Sequence, residues 1–112
     1  MAKFLIIYHS PVNPSVGAAP AGMDMEAEMK AWMDWGASVG ENLTDFGAPV
    51  AGGVHVAPGG ATTPSTLEVS GYSFVEAENM DAALAFTKDH PHLRSLPGAA
   101  LEVHELQSVP GM

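Results

Sequence analysis

The stretch Lys-Phe-Leu-Ile-Ile-Tyr-His at residues 3–9 decides the fold. Successive side chains of a β-strand point to opposite sides of its sheet. One side would carry Phe4, Ile6 and Tyr8, and the other would carry Leu5, Ile7 and His9. Because both sides are apolar except at the end of the segment, the pattern is typical of a central strand that is covered on both faces.

The segment after this strand predicts a long loop and then a helix. Residues 10–22 are rich in proline, glycine and alanine, which favours irregular structure. Asp24 is a suitable N-cap, and apolar residues then recur at spacings of three and four, which predicts a buried helical stripe. The stripe consists of Met25, Met29, Trp32, Gly36, Val39 and Leu43. We expect Gly36 and Gly40 to pack closely against the sheet, and the helix to end at Gly47 and Pro49.

The second half of the chain predicts two more strands joined by a hairpin, a helix and a last strand. Residues 48–56 are predicted as a strand with a bulge at Gly52 and Gly53. Residues 58–66 are predicted as the hairpin tip, and residues 67–77 as a regular strand. Asn79 is predicted to cap a helix over residues 80–89, and residues 101–107 read as the last strand.

The order of these elements predicts the fold class. Strand, helix, strand, strand, helix, strand indicates an α+β domain of the ferredoxin-like βαββαβ type, spanning residues 1–112 as a single domain. Its four-stranded antiparallel sheet would carry two helices on one face. Because two helices cover only one face, we expect a second copy of the chain to cover the other, giving a homodimer that is a dimeric α/β barrel.

Composition excludes several classes of partner. The chain has 112 residues, 13 acidic and four basic side chains, a formal net charge of −9 and no cysteine. Such a charge disfavours nucleic acid and anionic membranes as partners. The absence of cysteine and of a signal-like N-terminal segment predicts a cytoplasmic location.

Several segments together resemble the YCII-related proteins, including the DGPF-domain group. They are residues 3–9, Trp32 with Met33, and residues 71–77, 81–85, 90–93 and 102–105. The resemblance extends over nearly the whole chain and implies a dimeric α/β barrel of ferredoxin-like subunits. Some members of that family pair an aspartate with a histidine on the first helix. The first helix here contains no histidine, and the DGPF motif is absent, so that pair is not carried over.

Histidines are the candidate catalytic residues, because only they titrate near neutral pH without perturbation. His9 ends the first strand, where a pocket would open, although an exposed strand end is the favoured alternative. His92 either turns inward to share a pocket with His9 or lies in a surface loop. His90 is placed to complement the dipole of the second helix as a positive group. His55 and His104 are expected at the surface.

Three other residues are candidate ligand contacts. Tyr72 offers a hydroxyl, Trp32 an aromatic wall, and Asp45 a carboxylate that is also typical of a turn. No spacing of histidines matches a metal site, and no motif indicates a cofactor. We therefore predict a small-molecule-binding domain, and two hypotheses stay open. It is either an enzyme that uses histidine general acid/base chemistry or a non-catalytic dimerisation or accessory domain.

Overall fold

The architecture was described from a computed structural model that covers residues 1–11, 24–95 and 98–110. In chain order its elements are β1 (Ala2–His9), α1 (Met25–Val39), β2 (Leu43–Pro49), β3 (Val54–Val56), β4 (Thr62–Pro64), β5 (Val69–Ala77), α2 (Met80–Ala85), α3 (His92–Ser95) and β6 (Ala100–Glu105). The predicted loop over residues 10–22 lies, from residue 12 onward, outside the described residues.

The main sheet has four antiparallel strands in the order β2-β5-β1-β6. The long strand β1 therefore lies inside the sheet, as its two apolar sides predict. The α+β class and the four-stranded antiparallel sheet are confirmed, and the strand order is compatible with a ferredoxin-like fold. A third helix, α3, follows α2 where the sequence predicted a loop.

One face of the sheet is covered by the helices. Phe4, Ile6 and Tyr8 of β1 are buried in one cluster with Trp35 of α1 and Ala83 of α2. The alternation of residues in β1 thus assigns this face to the core. Leu5 and Ile7 point to the opposite face and are only half-buried.

The first helix begins where predicted and ends earlier than predicted. The Asp24 carboxylate accepts hydrogen bonds from the N–H groups of Glu26 and Ala27, which confirms the N-cap. The helix stops at Gly40, whose φ of +68° is readily adopted only by glycine, and no described residue lies within 4 Å of where its Cβ would be. The prediction of close packing was wrong for Gly40 but correct for Gly36, where an added Cβ would lie 2.8 Å from the Phe46 ring.

The buried stripe of α1 is rotated relative to the predicted one. Trp35 and Val39 are buried, whereas Met25 and Met29 are 38% and 60% exposed. The helix buries its aromatic side chains, which remove more apolar area from water than methionine does. The prediction that the methionines form the core was therefore wrong.

The predicted strand over residues 48–56 is replaced by two separate elements. Residues 43–49 form β2, with irregular register against β5, and end at Pro49. Beyond Gly52 and Gly53 the chain leaves the sheet and forms a hairpin of its own, in which β3 pairs with β4. All residues of these two short strands are exposed.

The last elements are shorter than expected. Asn79 caps α2 through a hydrogen bond from the Ala82 N–H to its side chain, as predicted, but the helix ends at Ala85 and not near residue 89. The last strand spans Ala100–Glu105 and not residues 101–107. Among the described residues, every helix is too short or too polar to cross a bilayer.

Candidate functional site

A chain of hydrogen bonds runs through the core beneath the helices. The Tyr8 hydroxyl lies 2.9 Å from Ser73 Oγ and 3.1 Å from His90 Nε2. The Ser73 hydroxyl lies 2.6 Å from the Phe46 carbonyl oxygen, and the His92 backbone N–H lies 3.0 Å from His90 Nδ1. The side chains of Tyr8, Ser73 and His90 are buried, so these hydrogen bonds are closed to water.

The two ends of this chain determine the direction of every bond in it. The backbone N–H of His92 can only donate, so His90 Nδ1 accepts and the ring proton sits on Nε2. His90 Nε2 then donates to Tyr8, Tyr8 donates to Ser73, and Ser73 donates to the carbonyl oxygen of Phe46, which can only accept. The side-chain donors of His90, Tyr8 and Ser73 are all hydrogen-bonded within this network, so none of them is left to act on a ligand.

Burial keeps this cluster uncharged. Loss of water lowers the pKa of His90 to about 3, and His92 and Arg94 act in the same direction electrostatically. Burial also raises the pKa of Tyr8, opposed in part by its bond with Ser73. The expectation that His90 is a positive group complementing a helix dipole is therefore wrong.

His92 connects this buried cluster to the end of β1. It turns inward and is about 3% exposed, and its Nε2–H donates to the carbonyl oxygen of His9 at 2.9 Å. Burial lowers the pKa of His92, while the backbone groups of His9 and Ala100 and the Glu28 carboxylate oppose that shift. His92 and His9 are thus brought together, through the backbone of His9.

The His9 side chain lies on the other face of the sheet. Its Nδ1 is 2.7 Å from the carbonyl oxygen of Leu67, which can only accept, so Nδ1 carries a proton and donates this hydrogen bond. Its Nε2 is buried and makes no hydrogen bond within the described part of the chain. A buried ring nitrogen without a partner is uncommon in folded proteins, and a catalytic role is one explanation for it.

A carboxylate faces this nitrogen. Glu102 Oε2 lies 3.9 Å from His9 Nε2, and Glu102 Oε1 accepts a 3.0 Å hydrogen bond from His104 Nε2. The bond from His104 lowers the pKa of the Glu102 carboxyl, and the nearby His9 adds to this. His104 is exposed, as predicted.

The register of the sheet places an apolar platform beside His9 and Glu102. Ile7 lies opposite Tyr72 on one side and opposite Glu102 on the other. Leu5 lies opposite Phe74 in the next row. Directly opposite residues share a face, so these side chains line the side of the sheet that the helices leave uncovered. We call this surface, formed by Leu5, Ile7, His9, Tyr72, Phe74, Glu102 and His104, the open face.

Trp32 belongs to the covered side. Its ring centroid lies 4.9 Å from that of Tyr8 and 4.5 Å from that of His90, and its indole N–H donates to Glu28 at 3.1 Å. It is half-buried and lies 6.1 Å, between ring centroids, from His92. Trp32 and His92 are therefore close together, but on the opposite side of the sheet from Tyr72.

Asp45 is not brought to either group. It is exposed in β2, and its carboxylate accepts a hydrogen bond from the Gly47 N–H at 2.8 Å. This local bond two residues ahead is the turn-type contact that the sequence offered as one interpretation. Of the five predicted site residues, the structure groups His9 with Tyr72 on the open face and Trp32 with His92 on the covered side.

The sequence did not indicate that Glu102 lies beside His9. It also did not indicate that Ser73 and His90 belong to one buried cluster. Glu102 stands directly opposite Ile7, so an alignment of strand registers would have found it. A separate open cleft of about 410 Å³ lies between α1 and the α2–α3 region, bordered by Asp34, Trp35 and Arg94. His9 is not among the described residues that line this cleft.

Comparison with known proteins adds no family or relative, so the assignment of a function rests on the contacts described above. No protein-family model matches the chain, and no curated protein matches it. In residues 1–11, 24–95 and 98–110, no three histidine or carboxylate side chains converge as metal ligands would.

Proposed function

We propose that this chain is a small-molecule-binding domain in which His9 acts as a general base and acid on a ligand bound at the open face. The observation that carries the proposal is the state of the His9 ring. Its Nδ1 proton is held by the Leu67 carbonyl, and its Nε2 lone pair is buried and unpaired among the described residues. A base needs a fixed ring and a free lone pair, and His9 has both.

Several contacts hold His9 in place. Its carbonyl oxygen accepts from His92, its ring donates to Leu67, and the next residue, Ser10, donates its backbone N–H to Glu68 at 2.9 Å. Such support keeps a catalytic ring in one orientation without cost at the moment of reaction. His92 is in this proposal a positioning residue, because its Nε2 proton is already bound to the His9 carbonyl.

The proton transfer is simple. His9 Nε2 takes a proton from the ligand, the Nδ1–H stays hydrogen-bonded to the Leu67 carbonyl, and the resulting imidazolium forms an ion pair with Glu102. The same group then returns the proton. Glu102 thus stabilises the charged state of the ring, because its carboxylate faces the nitrogen that takes the proton.

The working unit in this proposal is a homodimer. The open face carries Leu5, Ile7, Tyr72 and Phe74, all half-buried side chains that the helices do not cover. A second copy packed face to face would bury them and complete a ferredoxin-like dimeric α/β barrel, with His9 at one end of its interior. The resemblance to YCII-related proteins supports the same assembly, and the cytoplasmic location stays a prediction from the sequence.

A second candidate function rests on the same apolar surface. In it the open face serves only to join two copies, and the chain is a non-catalytic dimerisation or accessory domain. The two functions differ in the role of His9. Only the first requires its Nε2 to be unprotonated at neutral pH and free of any bond to the second copy.

Nitrogen-15 NMR of the histidine rings tests the choice. We expect His9 at pH 7.5 to be the neutral tautomer with its proton on Nδ1, and we expect Glu102→Gln to change the chemical shift of His9 Nε2, because it removes the carboxylate that faces this atom. A His104→Gln variant is the control for loss of the other histidine near Glu102. If His9 carries its proton on Nε2, or is bonded through Nε2 in the assembled protein, the general-base proposal is wrong and the accessory function takes its place.

Light scattering tests the assembly. We expect a particle of twice the chain mass of 11.6 kDa. Ile7→Glu should convert it to a monomer, because it places a charge in the centre of the open face. Leu84→Glu is the matched control, since Leu84 is an exposed leucine on α2. A wild-type monomer would contradict the dimer.

A further inference from the structure

The hairpin of β3 and β4 has one apolar side and one polar side. The register places four residues on the apolar side, namely Val54, Val56, Thr62 and Pro64. The polar side carries His55 opposite Thr63. Such alternation is typical of a sheet that packs on one side and meets water on the other. Yet Val54 and Val56 are 60% and 62% exposed, so within the described part of a single chain the apolar side stays uncovered.

The hairpin is well formed although it is exposed. At its tip the Ala57 N–H donates to the Ala61 carbonyl at 2.7 Å, and the Gly60 N–H donates to the Ala57 carbonyl at 2.9 Å. At its base the Ser65 N–H donates to the Gly53 carbonyl at 2.9 Å. A two-stranded hairpin is marginally stable in water unless it packs against something. Its apolar side therefore indicates a contact that forms on assembly.

The backbone bends where the hairpin joins the main sheet. Gly52 on the outgoing chain and Glu68 on the returning chain have φ values of +67° and +56°. Glycine adopts this conformation readily, whereas glutamate adopts it at a cost that its surroundings must offset. The Ser10 N–H donates to the Glu68 carbonyl at 2.9 Å, and the Leu67 N–H donates to Ser65 Oγ at 3.2 Å. These contacts fix the bend.

The bend directs the hairpin toward the open face. The carbonyl oxygen of Leu67 accepts a hydrogen bond from His9 Nδ1, and the His9 ring projects from the open face. Leu67 therefore lies on the open-face side of the end of β1. The base of the hairpin, at Ser65, is only two residues away, so the hairpin leaves the sheet on the side that the helices do not cover. Leu67 is itself 67% exposed. We call residues 53–67 the arm.

We propose that the arm packs its valine side against the second copy of the chain in a homodimer formed through the open face. The inference rests on the proposed function, because it requires the open-face dimer. The arm and the open face lie on the same side of the sheet, so a copy seated on the open face lies beside the arm and the two contacts are continuous. Two-fold symmetry then makes each chain give one arm and receive one.

The arm also connects the second copy to His9. The carbonyl oxygen that fixes His9 Nδ1 belongs to Leu67, which is part of the arm. A second copy that holds the arm in place therefore also holds the acceptor that orients the His9 ring. The contact adds side-chain packing on one side of the hairpin only, so the arm remains easier to open than the central sheet.

A dimer assembled from equal parts of carbon-13-labelled and unlabelled chain tests the contact. Isotope-filtered NOE spectra then record only contacts between the two copies. We expect contacts from the methyl groups of Val54 and Val56, as well as from those of Ile7 in the open face. Contacts at Ile7 without any at the valines overturn the arm contact and leave the open-face dimer intact. Contacts at the valines without any at Ile7, or a monomeric particle, overturn both.

Two aspartate variants on opposite sides of the hairpin make the test specific. Val56→Asp should raise the dissociation constant of the dimer about tenfold or more, because it removes a buried valine from the contact. Thr63→Asp adds the same charge on the polar side and should leave the constant unchanged. Both positions are exposed in the single chain, so both variants should fold. In sedimentation equilibrium, an unchanged constant for Val56→Asp, or equal effects of the two variants, overturns the valine-side contact.

Discussion

The two faces of the sheet use histidine in opposite ways. On the covered side, His90 has both ring nitrogens bonded and belongs to a chain in which each donor meets an acceptor. On the open face, His9 has one nitrogen bonded and one without a partner in the described part of the chain, and a carboxylate faces that nitrogen. His92 connects the two rings. His90 has a hydrogen-bond partner for each ring nitrogen, whereas among the described residues His9 has a partner for only one. A satisfied buried histidine stabilises a fold, whereas an unsatisfied one is a candidate for chemistry.

The strongest test of this contrast removes the His90 ring, whose two nitrogens are both hydrogen-bonded. We expect His90→Ala to lower the free energy of unfolding by about 3 to 5 kcal/mol, because it leaves a cavity beside Trp32 and Trp35 and removes the partner of Tyr8. Urea unfolding measures the loss. His55→Ala, in the exposed strand β3, should change it by less than about 0.5 kcal/mol. Equal effects of the two substitutions would show that His90 is not a core residue.

The pH dependence of stability comes next in size. The pKa of His90 is about 3 in the folded chain, below its ordinary value of about 6.5, so below pH 6.5 the unfolded chain binds the additional proton. The contribution of His90 to the free energy of unfolding is therefore fully present above pH 6.5 and is lost as the pH falls toward 3. Between pH 6.5 and 4.5 we expect a loss of about 2 kcal/mol in urea unfolding.

The variant His90→Gln isolates this contribution, because glutamine does not titrate. Its stability should fall less steeply over the same pH range than that of the parent chain, by the amount that His90 supplies. Parallel curves would mean that the acid sensitivity comes from other groups.

The prediction with the smallest expected effect compares the removal of one hydroxyl group on each face of the sheet. Tyr8→Phe removes the link between His90 and Ser73 and should cost about 1 to 2 kcal/mol, since two buried groups lose a partner. Tyr72→Phe removes a half-buried hydroxyl from the open face and should change stability by less than about 0.5 kcal/mol. The same urea measurement serves for both. A costly Tyr72→Phe would indicate that the open face, too, is held by polar contacts.

Much of the fold was predictable because it depends on local patterns. Alternation identified the two sides of β1, and the caps Asp24 and Asn79 marked the starts of two helices. The end of α1 was not predictable from periodicity, since Leu43 continues the helical spacing beyond Gly40. There the left-handed backbone of one glycine overrides the pattern of side chains.

The site was predictable only in part. His9, His92 and Tyr72 could be selected because of their residue type and position in strands or loops. The chain from His90 to Phe46 joins residues from four distant segments, and only packing brings them together. Likewise, nothing local to His9 indicates that Glu102 faces it, because that contact depends on the register between β1 and β6.

The hairpin of β3 and β4 has a consequence for how the molecule opens. It touches the rest of the fold through short connections, and Val54 and Val56 remain about 60% exposed. A two-stranded hairpin with so little buried surface is marginally stable by itself. Its amides should therefore exchange with deuterium through local fluctuation, while those of β1 should exchange only when the whole domain unfolds. One polypeptide thus carries two timescales of motion, and the slower belongs to the strand that holds His9.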